Sequence, residues 1–499
     1  MGMACREASV NSLLLAHHDD DQAETVFMRV AQGGIGVGLR GITPVNDIPE
    51  CFGLYGVHQS GALRPTPSRH GDYGLGKHHS RKTNFVGLED GGIKVLRPLL
   101  QFSKERLIAT CLKSRVPWVE DETNKDPTLT MRNAVRHIFH NHRLPAALTK
   151  ENLLVLSSRE AERMDKYQGH VKSLFNKCDL RLEPRSGTIA VRFPTGMFTH
   201  GTGLRRSPSN KSRGTLTSEP SASSDKESAT EEANLVATML VQRLIEMITP
   251  QEKVPLKQLR HVPLYSMFPS LASSQSSEEV QQDRISNFAC SSVYFRREQP
   301  PGPPGQTTWR LSRTPYRRGT TDEVLKQTIL VPPHSDFPDS FPRMNFHLFD
   351  GRFWIRVSNP TPHPLVVRPF CGTDLKAFTA SLLPHTRSRF LARLDKVAPR
   401  DVRWTLPVIA MAEQDHGATE NEGHRGSKAV DPRGKVIAVP TLGVCIDGLS
   451  EEEHWVKELG WTVRFRKVNL GSNGPKGGRS PISRRHSPVG DEGTRAADG

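Results

Sequence analysis

The first 31 residues combine a short apolar run with an amphipathic pattern. Residues 10–16 (VNSLLLA) are typical of a buried strand. Apolar residues then recur at helical spacing, at Ala23, Val26, Phe27 and Val30. The intervening HHDDD at residues 17–21 therefore lies at a strand-to-helix turn, where Asp19 or Asp20 can cap the helix by accepting backbone N–H groups.

A second strand and helix are predicted downstream. Residues 93–100 (IKVLRPLL) are strand-like, and Ser103 is a suitable N-cap for a helix that ends near Pro117. A polar loop then leads into another helix, on which Arg132 and Arg136, four residues apart, share one face. These patterns predict an α/β domain, interrupted by a Gly-, Pro- and His-rich insertion.

The remaining pattern is less regular. Helical spacing returns after residue 150 and again at about residue 234, on either side of a segment rich in Ser, Thr, Lys and Glu. Short apolar strands such as FWIRV and LPVIAM reappear in the last third of the chain. We predict a helical region at 151–200, a disordered linker at 201–233, a helical or irregular middle region at 234–340, a small α+β domain at 341–468 and a disordered basic tail at 469–499.

Composition indicates a folded enzyme interspersed with linkers. Of 499 residues, 35% are hydrophobic, and 37 Pro and 40 Gly are present. The excess of 68 Lys and Arg over 53 Asp and Glu gives a net charge of +15, which favours a polyanionic partner such as nucleic acid. Seven scattered cysteines without a CxxC pair fit a reducing compartment, and no apolar run approaches the ~20 residues of a membrane span. We expect a soluble protein that does not act at a membrane.

The acidic cluster needs a partner of opposite charge. A strand-to-helix turn of a parallel α/β sheet is where such folds bind phosphate, and carboxylates there can hold Mg²⁺ between protein and phosphate. A metal-bound nucleotide is therefore one interpretation of residues 17–21. Simple capping of an exposed helix is a second interpretation. A hydrolytic zinc or manganese site built from His and Asp is a third.

Three ordered motifs resemble those of the tRNA(Ile)-lysidine synthases, which belong to the PP-loop, or N-type ATP pyrophosphatase, superfamily. HHxDDQxET is matched in HHDDDQAET (17–25), VLRPLL is present at 95–100, and W-x-E-D-x-x-N-x-D with R-N-x-x-R is matched within 118–136. The matched positions of the first and third motifs are His17, His18, Asp20, Asp21, Gln22, Glu24, Thr25, Trp118, Glu120, Asp121, Asn124, Asp126, Arg132, Asn133 and Arg136. The resemblance is strong over residues 10–145 and weaker in the C-terminal region.

This resemblance implies an ATP-dependent ligation on RNA. ATP would adenylate the C2 carbonyl oxygen of the first anticodon cytidine of a tRNA(Ile) with a CAU anticodon, and L-lysine would displace AMP to give lysidine. The residues implied as catalytic are His17, Asp20 and Asp21, with Asp21 as the Mg²⁺ ligand. Those implied for ATP binding are His18, Gln22, Glu24 and Thr25. Those implied for substrate or RNA contact are Asn124, Asp126, Arg132, Asn133 and Arg136, although the arginines also fit a solvated helix face.

The implied fold class is α/β. Residues 1–150 would form the C-terminal part of a Rossmann-like PP-loop ATPase domain, with the insertion at 43–92, followed by the helical middle region and the small α+β C-terminal domain. Basic residues in or near the last domain are expected to follow a tRNA backbone: Arg352, Arg356, Arg464, Arg466 and Lys467. Oligomeric state is not predicted.

One element of the family pattern has no match. The SGGxDS phosphate loop has no counterpart in the 16 residues before His17, so we expect a homologue without its N-terminal portion and without detectable lysine-dependent activity as written. A noncatalytic tRNA-binding remnant and a metal-dependent phosphoesterase remain as alternatives. The expected location is the mitochondrion in a eukaryote, although no presequence is visible, and otherwise the cytoplasm.

Overall fold

The computed structural model describes the chain in segments. These are 1–48, 87–88, 93–198, 222–271, 287–298, 307–316, 328–333, 347–414, 430–447, 456, 459–465 and 468–469, apart from positions 2, 3, 6, 7, 9, 252, 253, 260, 261, 432 and 433. Two compact units are distinguished. The first unit comprises Met1–Phe85, Asp90–Lys177 and Met197–Leu240, and the second unit comprises Val86–Glu89, Cys178–Gly196 and Val241–Gly499.

A three-stranded sheet lies in the first unit, in the order β1 (Ser12–Leu14), β4 (Lys94–Leu96), β2 (Val45–Asp47). Strand β4 is parallel to β1 and antiparallel to β2. The sheet core consists of Cys5, Ile48, Ile93 and Val95, with Leu13 and Leu15 packed against it. The predicted insertion therefore begins with a strand of this sheet, and most of its remainder lies outside the described residues.

Four helices complete most of the first unit: α1 (Asp19–Ala31), α2 (Lys104–Ser114), α3 (Met131–Asn141) and α4 (Lys150–Lys177). The predicted N-cap of α2 is confirmed, because Arg106 donates its backbone N–H to Ser103 Oγ at 3.2 Å. Thr130 caps α3 in the same way through Asn133 N–H at 3.1 Å. Helix α5 (Ala222–Glu246) begins in the first unit and ends in the second.

The middle of the chain departs from the sequence prediction. Residues 178–196, expected to be helical, contain the hairpin β5 (Asp179–Glu183) and β6 (Thr188–Arg192). The region expected to be helical or irregular contains β7 (Asn287–Cys290), β8 (Val293–Glu298), β9 (Thr308–Arg313) and β10 (Ile329–Val331), and helix α5 starts within the predicted linker. Short strands separated by Ser- and Pro-rich segments gave too little periodicity to be recognised.

Strands β5 to β9 form an antiparallel sheet in the order β5–β6–β9–β8–β7, which we call the middle sheet. One face is apolar and buried, with Ile189, Val191, Phe295 and Leu311 all at 0% exposure. The opposite face carries polar side chains, since residues alternate along each strand. The middle sheet therefore separates a core from a charged surface within the second unit.

The C-terminal part of the second unit mixes helices and sheets. One sheet has the order β10, β13 (Leu365–Pro369), β14 (Pro407–Met411), β17 (Val436–Val439), β18 (Val444–Cys445), and a smaller one has the order β11 (His347–Phe349), β12 (Phe353–Ser358), β19 (Gly460–Phe465). The remaining helices are α6 (Val262–Met267), α7 (Gly372–Ala380) and α8 (Pro384–Val397), and the short strands are β3 (Gly87–Leu88), β15 (Glu413–Gln414), β16 (Val430–Asp431) and β20 (Val468–Asn469). Among the described helices, none combines the length and hydrophobicity of a bilayer-spanning segment.

Arg352 does not belong to a surface. Its side chain is 0% exposed, and its guanidinium contacts Asp350 Oδ2 at 2.7 Å and the carbonyl oxygens of Ser186 and Thr405 at 3.1 and 2.8 Å. The expectation that Arg352 contacts RNA is therefore wrong, because a fully enclosed cation has no access to a ligand. Arg356 on β12 is exposed, whereas Arg466 and Lys467 lie outside the described residues and the side chain of Arg464 is not described.

Candidate active site

Two helix N-termini meet at the carboxyl ends of the parallel strands β1 and β4. The backbone N–H of Asp19, at the start of α1, donates to the Phe102 carbonyl at 3.1 Å, just before α2. The backbone N–H of Lys104, at the start of α2, donates to Asp20 Oδ2 at 3.0 Å. This edge of a parallel α/β sheet is where helix dipoles and free N–H groups favour an anion. The predicted strand-to-helix turn thus lies at the expected position for a nucleotide site.

Residues His17–Asp21, together with Glu24, form what we call the acidic turn. Asp21 caps α1 by accepting the backbone N–H of His18 at 3.0 Å. Two of the carboxylates are buried, with exposures of 7% for Asp21 and 3% for Glu24. Buried carboxylates require compensating cations or donors, so their partners determine what the turn can do.

Lys150, the first residue of α4, provides one compensating cation. Its Nζ contacts Asp19 Oδ1 at 3.0 Å and also donates to Asp20 Oδ1. Although burial opposes it, hydrogen bonding to Asp20 and Asp19 raises the pKa of Lys150. The contact with His18, followed by the bond from Lys150, holds the pKa of Asp20 well below its usual range. Asp20 is therefore ionised and bound to the chain itself.

Arg132 and Arg136 on α3 provide two more cations. Arg136 Nε donates to Glu24 Oε1 at 2.6 Å, and its Nη2 lies 3.5 Å from Asp21 Oδ1. Arg132 Nε lies 3.3 Å from Glu24 Oε2. Burial raises the pKa of Glu24, and the Arg136 guanidinium opposes that shift. Both arginines face carboxylates, so their contact with RNA stays a prediction.

The distant motifs converge on these arginines. Arg136 Nη1 donates to Asn124 Oδ1 at 2.8 Å, and Arg132 Nη2 donates to Thr25 Oγ1 at 3.3 Å. The buried amide of Asn133 donates to the carbonyls of Thr123 and Asp126, at 2.8 Å each. The structure therefore brings together the HHxDDQxET, N-x-D and R-N-x-x-R residues around one ion-pair network. Asp126 contributes to the loop conformation, since its carboxylate accepts from the backbone N–H and hydroxyl of Thr128.

Gln22 anchors the segment after α1. Its Nε2 donates to the carbonyls of Arg40 and Ile42, each at 3.2 Å, and to Ser157 Oγ at 2.8 Å, while Oε1 accepts the Ile42 N–H. Gly41 is at φ +69°, and a Cβ there would lie 2.5 Å from Gln22 Oε1. The side chain predicted to bind ATP is thus held by the protein, and its role in ATP binding stays a prediction.

The two neighbouring histidines have opposite protonation preferences. Burial lowers the pKa of His17, and its Nδ1 is shielded without a hydrogen-bond partner among the described residues. Hydrogen bonding to Asp20 raises the pKa of His18 above its ordinary value of 6.5. At neutral pH, His17 is the neutral member of the pair and a possible proton acceptor, whereas His18 is held towards the charged form.

Sequence reasoning missed Lys150 and Ser157. Both lie on α4, more than 120 residues after the acidic turn, in a helix whose pattern predicted only an amphipathic element. A lysine at a helix start carries no local signal for an ion pair with a distant aspartate. Only the packing of α4 against α1 identifies these two partners.

Cation-binding groups in the turn are largely occupied by the chain. One ligand atom from each of His18, Asp19 and Asp20 lies within 4.8 Å of the others, and carboxylate oxygens suit Mg²⁺. The ammonium of Lys150 already contacts both of these aspartates, however. The donor set therefore does not fit a protein-bound metal ion in this arrangement, and the assignment of Mg²⁺ to Asp21 stays a prediction.

Comparison with known proteins places this site in a recognised domain. A family model described as "PP-loop domain" matches residues 1–66 and 74–142. This match confirms the predicted Rossmann-like α/β fold for the N-terminal region. The domain covers the acidic turn, α1, α2 and α3.

Similar proteins extend the comparison beyond that domain. A probable tRNA(Ile)-lysidine synthase from Schizosaccharomyces pombe is 24% identical over 443 residues, which cover 88% of this chain and 70% of the yeast protein. The tRNA(Ile)-lysidine synthases of Bacillus licheniformis and Methylobacterium nodulans are 32% and 30% identical over 125 and 154 residues. These matches cover 25% and 31% of this chain, and span only 17% and 32% of the bacterial proteins.

Proposed function

We propose that this homologue of the tRNA(Ile)-lysidine synthases, with its PP-loop domain, modifies tRNA in an ATP-dependent reaction. The specific reaction we propose is ligation of L-lysine to C2 of the first anticodon cytidine of tRNA(Ile) with a CAU anticodon, which gives lysidine. The C2 oxygen attacks the α-phosphorus of ATP and pyrophosphate leaves. The lysine amine then attacks C2, and AMP leaves with that oxygen.

The observation that supports this proposal best is the network centred on Arg136. That one side chain contacts Glu24 of the first motif and Asn124 of the third, which are 100 residues apart in the sequence. Motifs that contact one another in the fold act as a single site. Chance matches to three patterns would not require such an arrangement.

The chain's own groups suit the substrate ATP. The N-termini of α1 and α2 converge where a phosphate would be stabilised. Neutral His17 lies beside them and is suited to accept a proton from the attacking lysine ammonium, because burial keeps its pKa low. Mg²⁺ bound with ATP would neutralise charge on the leaving pyrophosphate. The Arg132 and Arg136 pair holds Asp21 and Glu24 in place beside it.

Lysine incorporation tests this proposal directly. The chain, joined to a segment that supplies SGGxDS, is incubated with ATP, labelled L-lysine and a tRNA(Ile) transcript with a CAU anticodon. We expect ATP-dependent label in the first anticodon nucleotide, and none in an elongator tRNA of unrelated anticodon. Asp21→Asn should abolish adenylation and leave tRNA affinity within a few-fold, because Asp21 serves the nucleotide.

The same assay separates the alternatives. Selective tRNA(Ile) binding without any lysine incorporation would identify a noncatalytic tRNA-binding protein. Hydrolysis of phosphoesters without ATP, dependent on zinc or manganese, would identify a phosphoesterase and contradict the proposal. The 499-residue chain without the added segment serves as the control for the contribution of the phosphate loop.

A further inference from the structure

The polar face of the middle sheet forms the floor of a large groove within the second unit. The groove encloses about 1340 Å³, and its other wall comes from the end of α8 and the following turn at Arg400–Thr405. Eight lysine or arginine residues and five aspartate or glutamate residues line it. None of these residues belongs to the ATP-binding region proposed above.

Strand register places arginines side by side on this face. Arg296 on β8 is directly opposite Arg310 on β9, which in turn is opposite Ala190 on β6. Like charges directly opposite each other destabilise a sheet. Glu298 relieves part of this repulsion, because Arg310 donates to its two oxygens at 2.6 and 3.1 Å. No carboxylate pairs with Arg296 among the described residues, and its guanidinium lies 5.7 Å from the Tyr294 ring centroid.

The opposite wall adds two more uncompensated cations. Lys396 and Arg400 are both exposed, and neither forms an ion pair with a described residue. Arg400 also has φ +54°, in the left-handed region that a long side chain rarely adopts. Such backbone strain concentrates at functional sites. Arg296, Lys396 and Arg400 therefore present positive charge that the protein does not neutralise.

The size and polarity of the groove argue against a small ligand. Pockets for small molecules are mostly apolar and enclose roughly 300–1,000 Å³. This groove is larger and lined with charged groups. A positively charged groove with an aromatic side chain beside an arginine is typical of surfaces that follow a nucleic-acid backbone.

We propose that this groove, which we call the arginine groove, binds the sugar-phosphate backbone of an RNA. Arg296, Lys396 and Arg400 contact phosphates, while the paired Arg310 and Glu298 maintain the floor. The inference rests on the proposed function for the identity of that RNA as the tRNA substrate. Phosphate contacts position the RNA and carry no base specificity.

Salt dependence of tRNA binding by the full chain tests this surface. Each lost phosphate contact lowers the slope of log K against log salt by about 0.7 to 0.9. The double variant Lys396→Gln/Arg400→Gln should therefore bind more weakly, with a slope smaller by about 1.4 to 1.8. Its affinity deficit should shrink about 7- to 12-fold between 50 and 200 mM salt. Arg296→Gln alone should lower the slope by about 0.8 without lowering the melting temperature, since it removes a repulsive neighbour of Arg310.

A matched control is Lys376→Gln/Arg389→Gln, which removes two exposed cations outside the groove lining. We expect a slope close to that of the unmodified chain. Equal slope changes in the two double variants would overturn the groove and leave the proposed function intact. Loss of poly-glutamate binding without loss of tRNA binding would assign the groove to an acidic protein and also overturn it. Failure of the unmodified chain to bind any tRNA would contradict the proposed function itself.

Discussion

The acidic turn and the arginine groove handle charge in opposite ways. In the turn, every carboxylate has a cationic or hydrogen-bonding partner within the chain, with Lys150 and Arg136 as the principal cations. In the groove, Arg296, Lys396 and Arg400 have no carboxylate partner among the described residues. Internally paired charges fix the position of helices, whereas unpaired charges are available to a ligand. The comparison indicates that the turn is pre-organised and the groove is open to binding.

Removing Arg136 should produce the largest effect, because it breaks the pairing in the turn. Arg136→Leu leaves Glu24, which is 3% exposed, with Arg132 as its remaining cation. Breaking a buried ion pair costs about 3 kcal/mol. Hydrogen exchange should show this loss in the amides of α1 and α3. The double variant Glu24→Leu/Arg136→Leu should lose less than the sum of the single variants, and strict additivity would show that the two side chains are not coupled.

Removing Lys150 should have an intermediate effect. Lys150→Met eliminates the bonds to Asp19 and Asp20, which are only partly buried, so we expect a loss of about 1 kcal/mol in local stability at the start of α4. Hydrogen exchange again gives the measurement. Lys150→Arg should restore most of the stability. Lys166→Met is the control, because Lys166 is exposed on the same helix, and a comparable loss there would show that pairing with the turn is irrelevant.

Protonation of the two histidines should give the smallest effect, with opposite signs. The raised pKa of His18 means that its contribution to stability is complete below pH 6.5 and is lost as pH rises through the folded-state value. The lowered pKa of His17 makes folding less favourable as pH falls below 6.5. NMR titration of the imidazole protons should separate them. Asp20→Asn should lower the pKa of His18, and an unchanged value would exclude Asp20 as the cause.

Sequence patterns were sufficient for the features that depend on neighbouring residues. The strand-to-helix turn at residues 17–21 and the Ser103 cap follow from spacing over a few positions. The order of the motifs also indicated the Rossmann-like PP-loop fold, which the match at residues 1–66 and 74–142 confirms. The roles of individual motif residues in catalysis remain predictions.

The middle sheet could not be predicted, because its strands lie far apart in the sequence. Strands β6 and β9 pair although more than 110 residues separate them, and the intervening segments hide the alternation that marks a strand. Register places Arg296 opposite Arg310, and no local rule contains that information. The buried position of Arg352 was missed for the same reason, since a charged residue is ordinarily expected at the surface.

The sequence by itself determined the local geometry of the acidic turn and the identity of its carboxylates, because capping and helical spacing act within about four residues. Tertiary structure alone decided which cations neutralise them and which remain unpaired. Lys150 meets Asp20 across 130 residues, while Lys396 and Arg400 face a sheet built from three separate segments. Coulomb interactions depend on distance in space and on burial, and chain folding, not sequence separation, sets both.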